Sequence, residues 1–183
     1  MAVKTQQALK QRLGDFVESP IVLGQDVCRQ VCDLLNSDVC SEFVLYHQTK
    51  KHHWIVSGPQ FSEIHKLLDS QAHDIRKVAD EIAERITYLG GVPVSGMAKM
   101  ESMAYVKPEE EGIFDLRSSL QRDLEMNQAI IVRYRQQIER CEQLKDYGTS
   151  YCMMKWLAKQ EKWAHELDNL LETDGLVQSN GHR

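Results

Sequence analysis

The stretch from residue 60 to residue 89 constrains the fold of this chain more than any other. It contains neither Pro nor Gly, it follows a break at Gly58-Pro59, and Gly90-Gly91 ends it, so one long helix is predicted. At about 100° per residue, five ionisable side chains share one face roughly 100° wide, which a buried core stripe would not carry. This polar stripe consists of His65, Asp69, His73, Asp80 and Glu84.

The polar stripe has three explanations: a solvated surface, a polar subunit interface, or a metal site completed across such an interface. His53 precedes the break and would add a ligand from another helix, and mixed imidazole and carboxylate ligands suit iron, manganese or zinc. Asp69 and Asp80 lie about 16 Å apart on one helix, whereas metal–ligand bonds are about 2 Å long. Because one ion cannot bridge these two carboxylates, metal binding would require antiparallel helices from two chains.

The remaining sequence predicts an all-α four-helix bundle with a short helix in the long middle connection. Apolar positions at helical spacing indicate further long helices over 25–53, 113–145 and 150–172, with Thr149 a possible N-cap of the last. The bundle is expected to span residues 25–172. A polar, partly helical tail is expected over residues 1–24, and a second tail over residues 173–183.

Composition restricts the possible compartment and partners. The net charge of −5 differs from the basic character of most nucleic-acid binders, and no apolar run is long enough for a transmembrane helix. The N-terminus lacks the apolar core of a signal peptide, so a cytoplasmic protein without a membrane partner is expected. The five scattered cysteines are then reduced thiols that act as small buried apolar side chains.

Two segments carry a family resemblance. They read H-W-x-V-x-G-x-x-F-x-x-x-H-x-x-x-D over residues 53–69 and D-x-x-A-E-R-I-x-x-L-G-G-x-P over residues 80–93. With these spacings the chain resembles the Dps family of mini-ferritins over residues 40–172. The resemblance implies a ferritin-like subunit, a hollow shell of twelve copies, and a ferroxidase centre at each dimer interface.

The same resemblance assigns roles to individual residues. Five metal ligands and catalytic residues are implied: His53, His65 and Asp69 from one chain, with Asp80 and Glu84 from its partner. Trp54 would pack near this centre. The implied chemistry oxidises Fe(II) to Fe(III) with hydrogen peroxide or oxygen and stores ferric mineral inside the shell, which protects against oxidative damage.

The chain departs from the family at a position on the last helix. The family pattern E-K-x-x-W-x-L has His165 in place of its Trp, while Trp163 is expected to point elsewhere. We predict that His165 coordinates metal, with His73 as a second candidate. The alternative for His165 is a hydrogen-bonded histidine that is buried or lies in an interface, and the alternative for His73 is a hydrogen-bonding histidine of an interface. A ligand set richer in nitrogen would favour Zn(II). A zinc-holding structural oligomer with weak ferroxidase activity is therefore one alternative function.

Three further expectations concern iron entry, DNA and a loop. Family members often carry acids that line an entry pore, but this chain has Gly148 and Tyr151 there, which leaves Asp146. The N-terminal tail balances three cations against two acids, so DNA binding is expected to be weak, and a DNA-compacting shell is the other alternative function. The three consecutive acids of residues 109–111 are expected to form a solvated loop.

Overall fold

The architecture is all-helical. The structure is a computed structural model, and it describes residues 8–172. Its helices are α1 (Gln25–Ile55), α2 (Phe61–Tyr88), α3 (Met97–Met103), α4 (Leu116–Gln143) and α5 (Tyr147–Leu171). Between residues 8 and 172 there is no strand, and no helix is both long and apolar enough to cross a membrane. The expected four-helix bundle with a short helix in its middle connection is confirmed.

The four long helices pack as two pairs. A turn at Gly58, whose φ is +105°, joins α1 to α2, and a turn at Lys145, whose φ is +61°, joins α4 to α5. These two pairs make the most extensive helix contacts, and α1 also packs against α3 and α4. Connections this short place consecutive helices antiparallel, so the start of α2 lies beside the end of α1.

The apolar core lies between the two pairs. Each of its large side chains contributes about 1.5–3 kcal/mol when fully buried. The core includes Leu35, Leu45, Ile75, Ile82, Tyr134, Trp156 and Trp163, all at most 2% exposed. Burial of Trp163 confirms that this side chain points away from the position of His165. Because α2 buries its apolar face here, its polar stripe is turned to the surface.

Four of the five cysteines lie in this core as free thiols: Cys28, Cys32, Cys40 and Cys141. Burial raises the pKa of the Cys32 and Cys141 thiols to about 12. These groups therefore stay protonated and pack as small apolar side chains, as expected.

The start of α5 differs from the sequence prediction. Asp146, not Thr149, is the N-cap: one of its carboxylate oxygens accepts from the Thr149 backbone N–H at 3.0 Å, and the other from the Thr149 hydroxyl at 2.5 Å. Arg85 of α2 donates to the same carboxylate at 3.1 Å. An aspartate fits here because it serves both a helix start and a cation from another helix.

The N-terminal segment also differs from expectation. Residues 8–24 contain no helix, whereas a partly helical tail was expected; residues 1–7 and the second tail, 173–183, lie outside the described part. The Val17 backbone N–H donates to the Gly90 carbonyl at 3.0 Å, and Gln11 donates to the same oxygen at 2.9 Å. Gly90 has φ +82°, and a Cβ there would collide with the Val17 carbonyl. The Gly90-Gly91 pair thus ends α2 and also receives the N-terminal segment.

Candidate metal centre

Two histidines meet where α1 ends and α2 begins. His53 lies in the last turn of α1 and His65 in the second turn of α2. Their rings stack with centroids 3.8 Å apart and planes inclined by 27°, and Phe61 packs against His65 at 4.9 Å. The turn between the helices therefore brings together two residues that are twelve apart in the sequence.

The hydrogen bonds of these histidines fix their tautomers. His53 Nδ1 lies 2.9 Å from the carbonyl oxygen of His65, and His65 Nδ1 lies 2.9 Å from the carbonyl oxygen of His53. A carbonyl oxygen only accepts, so each Nδ1 carries a proton, and a metal ion would bind each ring through the lone pair of Nε2. Metal-binding histidines are commonly oriented in this way, with one ring nitrogen bound to a carbonyl and the other free for the ion.

A carboxylate and an ammonium group complete this end of the centre. Asp69 Oδ1 lies 3.8 Å from His53 Nε2 and accepts a hydrogen bond from Lys50 Nζ at 2.8 Å. The hydrogen bond and charge of Lys50 lower the pKa of Asp69, so the carboxylate is ionised at neutral pH. Two imidazole nitrogens and a carboxylate thus share one small region of the surface.

The other two candidate ligands lie along α2, away from this region. Asp80 and Glu84 are both exposed, and the Tyr88 hydroxyl is 3.4 Å from Glu84 Oε2. Within residues 8–172 of a single chain, no group of three His, Cys, Asp or Glu side chains is assembled for a metal ion. One chain therefore supplies two partial sets of ligands at opposite ends of one helical face.

The two partial sets are placed symmetrically along α2. His65 lies as far before the midpoint between Asp74 and Ile75 as Glu84 lies after it, and the same holds for Asp69 and Asp80. A second α2 packed antiparallel about this midpoint would bring the partner's Asp80 beside Asp69 and the partner's Glu84 beside His65. This symmetry is the pattern that a twofold, isologous interface requires.

The additional ligand candidates have different surroundings. His165 is exposed on α5, and its Nε2 is 3.1 Å from the Asn169 amide nitrogen. The adjacent Glu166 lies 3.4 Å from Gln71 of α2, so this part of α5 runs beside α2. Across the described residues, no hydrogen bond, ion pair or ring contact joins His165 to the other candidate ligands.

His73 and Trp54 are both on the surface. His73 lines a groove of about 410 Å³ together with the cationic side chains of Lys50, Lys66 and Arg76. Asp69 also lines the groove but is paired with Lys50, so the net charge around His73 is positive and opposes a metal ion there. Trp54, expected near the centre, is 65% exposed, which leaves its ring available to a partner chain.

The structure also shows residues that the sequence argument missed. Besides Lys50, a buried group forms around His52, whose Nδ1 is 2.8 Å from Asp123 and whose Nε2 is 2.9 Å from Glu109. Burial favours the neutral ring, but the hydrogen bonds and charges of both carboxylates outweigh it and raise the pKa of His52. Glu109, expected in a solvated loop, is instead held by His52 and by Lys51 at 2.7 Å. No sequence spacing signals these contacts between α1, the middle connection and α4.

The structure explains why a glycine, and not an acid, stands at position 148, where an entry pore was expected. A Cβ at Gly148 would lie 3.0 Å from the Arg85 guanidinium, so a side chain there would disturb the pair of Arg85 with Asp146. Asp146 is 1% exposed and occupied by the cap and by Arg85. Asp146, the remaining acid at the expected entry pore, is therefore not open to solvent in a single chain, whereas Tyr151 is exposed.

Comparison with known proteins places the chain in a family. The ferritin-like domain family matches residues 32–177. The DNA protection during starvation protein of Halobacterium salinarum is 38% identical over 96% of this chain and 97% of its own length. The nutrient stress-induced DNA-binding protein of a Nostoc species is 34% identical over 93% of both chains. The names of both relatives refer to DNA, so they give no support to the expectation of weak DNA binding.

Solved structures agree with this placement. The crystal structure of an archaeal Dps homologue from Halobacterium salinarum superposes with a TM-score of 0.90 at 36% identity, covering 96% of this chain and 98% of that chain. A Dps protein from Vibrio cholerae, described as a member of a broad superfamily of ferritin-like diiron-carboxylate proteins, gives 0.80 at 26% identity over 86% of this chain and 99% of its own. This protein is therefore a member of the Dps family of ferritin-like proteins.

Proposed function

We propose that this protein is an iron-oxidising and iron-storing mini-ferritin. Its centres would be shared between two chains, with His53, His65 and Asp69 from one chain and Asp80 and Glu84 from the other. The observation that carries this proposal is the pair of free Nε2 atoms beside an ionised Asp69, set symmetrically opposite two exposed carboxylates on α2. The diiron-carboxylate description of the Vibrio cholerae relative supports iron as the metal.

Iron is the substrate in this proposal. Each Fe(II) gives up one electron, and hydrogen peroxide accepts two to become two hydroxide ions, so two irons bound together match one peroxide. The chain's part is to hold the two ions close, with nitrogen ligands on one side and carboxylates on the other. The ferric product would collect inside a shell of twelve copies, which removes both iron and peroxide from solution.

Fe(II) oxidation tests this function directly. Fe(II) is added without oxygen, then hydrogen peroxide or oxygen, and the ferric absorbance is followed with time. Asp80→Ala with Glu84→Ala should abolish the fast phase while the helical content stays unchanged, because both side chains are exposed. The matched control is Glu63→Ala with Asp33→Ala, two exposed acids outside the polar stripe, which should oxidise iron at the wild-type rate. An unchanged rate in the first variant would show that the centre is elsewhere.

Zinc binding with slow iron oxidation is the alternative chemistry of the same centre, and His165 is its basis. The contact between Glu166 and Gln71 shows that α5 runs beside α2 next to His165, which supports a role for His165 in a centre that a partner chain would complete. Crystals soaked separately in iron and in zinc decide whether His165 Nε2 binds. A nitrogen far from every metal in both crystals would remove His165 from the ligand set.

DNA is the second candidate partner, because the names of both relatives refer to it. The relevant cations include Lys10 and Arg12, which lie in the segment held against α2, and Lys4, which lies outside the described residues. A gel-shift series at low and high salt tests this directly. Binding that weakens steeply with salt would show phosphate contacts, and no shift at low salt would limit protection to the removal of iron and peroxide.

A further inference from the structure

A second polar site lies inside the bundle, away from the surface centre. We call it the interior polar cluster; it consists of Asp38, Glu42, Gln137 and Gln160. Both carboxylates are 0% exposed, and the two amide side chains are 2% and 0% exposed. Glu42 precedes His53 by three turns of α1, about 16 Å along the helix, so the cluster shares no ligand with the surface centre.

Some polar atoms of the cluster are well paired. Glu42 Oε1 accepts hydrogen bonds from the Tyr134 hydroxyl at 2.5 Å and from the Gln160 amide at 2.6 Å. Asp38 Oδ1 accepts from the Tyr105 hydroxyl at 3.1 Å. These bonds hold one oxygen of each carboxylate and leave the second oxygen of each without a donor.

Four oxygen atoms of the cluster are unsatisfied. Throughout residues 8–172, no hydrogen-bond partner reaches Asp38 Oδ2, Glu42 Oε2, Gln137 Oε1 or Gln160 Oε1. Gln137 faces Asp38 through its amide nitrogen, because a hydrogen bond from Gln137 lowers the pKa of that carboxyl, although no partner lies within close hydrogen-bond distance of this nitrogen. Buried acceptors without a partner are uncommon in native proteins and cost free energy, so these oxygens are open to a hydrogen-bond donor or a cation.

No side chain supplies that positive charge. In the described part of the chain, neither Asp38 nor Glu42 forms an ion pair. Lys159 acts on Glu42 from a distance and is paired with Glu81 at 3.6 Å. Arg133 acts on Asp38 from a distance and lies over the Tyr105 ring at 5.7 Å. Two buried carboxylates therefore lack a counter-ion of their own.

We propose that the interior polar cluster binds one divalent cation, with carboxylate oxygens of Asp38 and Glu42 and amide oxygens of Gln137 and Gln160 as ligands. A ligand set made only of oxygen suits manganese, magnesium or calcium better than zinc. Two carboxylates balance the charge of such an ion. Because the ligands come from α1, α4 and α5, the cation also ties together three helices of the bundle.

Protons compete with the cation for the same carboxylates. Burial raises the pKa of Asp38 to about 8 and that of Glu42 to about 7. Cation binding displaces these protons, so affinity should increase as the pH rises towards 8. The hydroxyl groups of Tyr105 and Tyr134, whose pKa values burial raises far above the ordinary value, stay protonated and keep donating.

Manganese binding tests the proposal. Mn²⁺ is titrated into the assembled Asp80→Ala/Glu84→Ala protein, whose surface centre is disabled, and free Mn²⁺ is followed by electron paramagnetic resonance. We expect one Mn²⁺ per chain, with affinity that rises between pH 6 and pH 8. Adding Asp38→Asn and Glu42→Gln should weaken binding by more than about tenfold, because ligand charge sets affinity at such sites. Glu125→Gln with Glu139→Gln removes the same charge from exposed positions and should leave binding unchanged.

Further variants keep the test decisive. Gln137→Leu leaves both carboxylates in place and should still weaken Mn²⁺ binding, which covers the case in which the double acid variant does not fold. Two results would overturn the proposal: no stoichiometric Mn²⁺ in the parent protein, or equal affinity in the parent and the Gln137→Leu variant. A crystal soaked in Mn²⁺ that shows only water between the four oxygens would overturn it as well. Each result is independent of iron oxidation at the surface centre.

Discussion

Main-chain carbonyl groups, rather than side chains, orient the two imidazoles of the candidate metal centre. His53 and His65 each hold the other's carbonyl through Nδ1, so both rings depend on the geometry of the turn between α1 and α2. The sequence predicts these two residues and Asp69 by their spacing. It gives no sign of Lys50, because Lys50 lies nineteen residues before Asp69, and this spacing indicates no ion pair until the turn between the helices has formed.

Lys50 competes with metal for Asp69. Its ammonium group is 2.8 Å from Asp69 Oδ1, where a metal ion would bind. Lys50→Met should therefore tighten the binding of Zn²⁺ by roughly two- to fivefold, the range expected for an exposed ion pair, as measured by titration calorimetry at pH 7. Lys66→Met is the matched control, because Lys66 lines the same groove without a bond to Asp69. Weaker Zn²⁺ binding in Lys50→Met would instead show that Lys50 assists metal binding.

The buried carboxylates predict how stability changes with pH. Asp38 and Glu42 have pKa values of about 8 and about 7 in the folded chain, against ordinary values of 3.8 and 4.5. Between about pH 4 and pH 8 the folded state therefore binds more protons than the unfolded state, so stability falls as pH rises. With a chelator present to keep the protein free of metal, the melting temperature should drop from pH 5 to pH 8, and Glu42→Gln should reduce that drop. Glu125→Gln, at an exposed position, should not. If the melting temperature of Glu42→Gln fell with pH as steeply as that of the wild type, the raised pKa of Glu42 would be contradicted.

At the scale of elements, the sequence predicts the presence of each long helix more reliably than the residues at which it begins and ends. Gly90-Gly91 and Gly58-Pro59 mark the limits of α2 in the sequence, and the structure places α2 at Phe61–Tyr88. The start of α5 differs from the prediction because Asp146 and Thr149 are both capping residues within the same break, and of the two aspartate is the better cap. The Arg85 side chain from α2 decides between them, and that contact spans 61 residues.

The two aspartate caps should differ in their contribution to stability. Asp115 caps α4 at the surface through the Ser118 backbone N–H and hydroxyl, so Asp115→Ala should cost about 1 kcal/mol. Asp146 is buried and also pairs with Arg85, so Asp146→Ala should cost roughly 3 kcal/mol or more because a cation loses its partner. Chemical denaturation measures both values. Equal losses would show that the pair of Asp146 with Arg85 adds nothing to the cap.

At the scale of the whole molecule, a single chain presents the polar stripe of α2 as an ordinary exposed face. Helix geometry shows that Asp69 and Asp80 cannot share an ion within one chain, so the sequence predicts the need for a partner. The structure shows that residues 61–88 form one continuous helix, on which the two partial ligand sets are symmetric about the midpoint between Asp74 and Ile75. The interior polar cluster could not be predicted, because its members come from three helices and the sequence shows them as isolated polar residues.

A centre shared between chains can be tested by mixing two inactive variants. The first carries His53→Ala, His65→Ala and Asp69→Ala, and the second carries Asp80→Ala and Glu84→Ala. In a dimer of one copy of each, the intact histidine end of the second variant meets the intact carboxylate end of the first. One of the two centres in such a dimer is then complete, and the other lacks all five ligands.

The most direct measurement is the rate of Fe(II) oxidation after the two variants are unfolded together, refolded in equal amounts and assembled. Random pairing makes half of the dimers mixed, so about one quarter of all centres should be complete and about one quarter of the wild-type rate should return. Each variant assembled alone should stay inactive. A mixture as inactive as its two components, with mixed dimers shown to be present, would contradict a centre shared across the α2 interface.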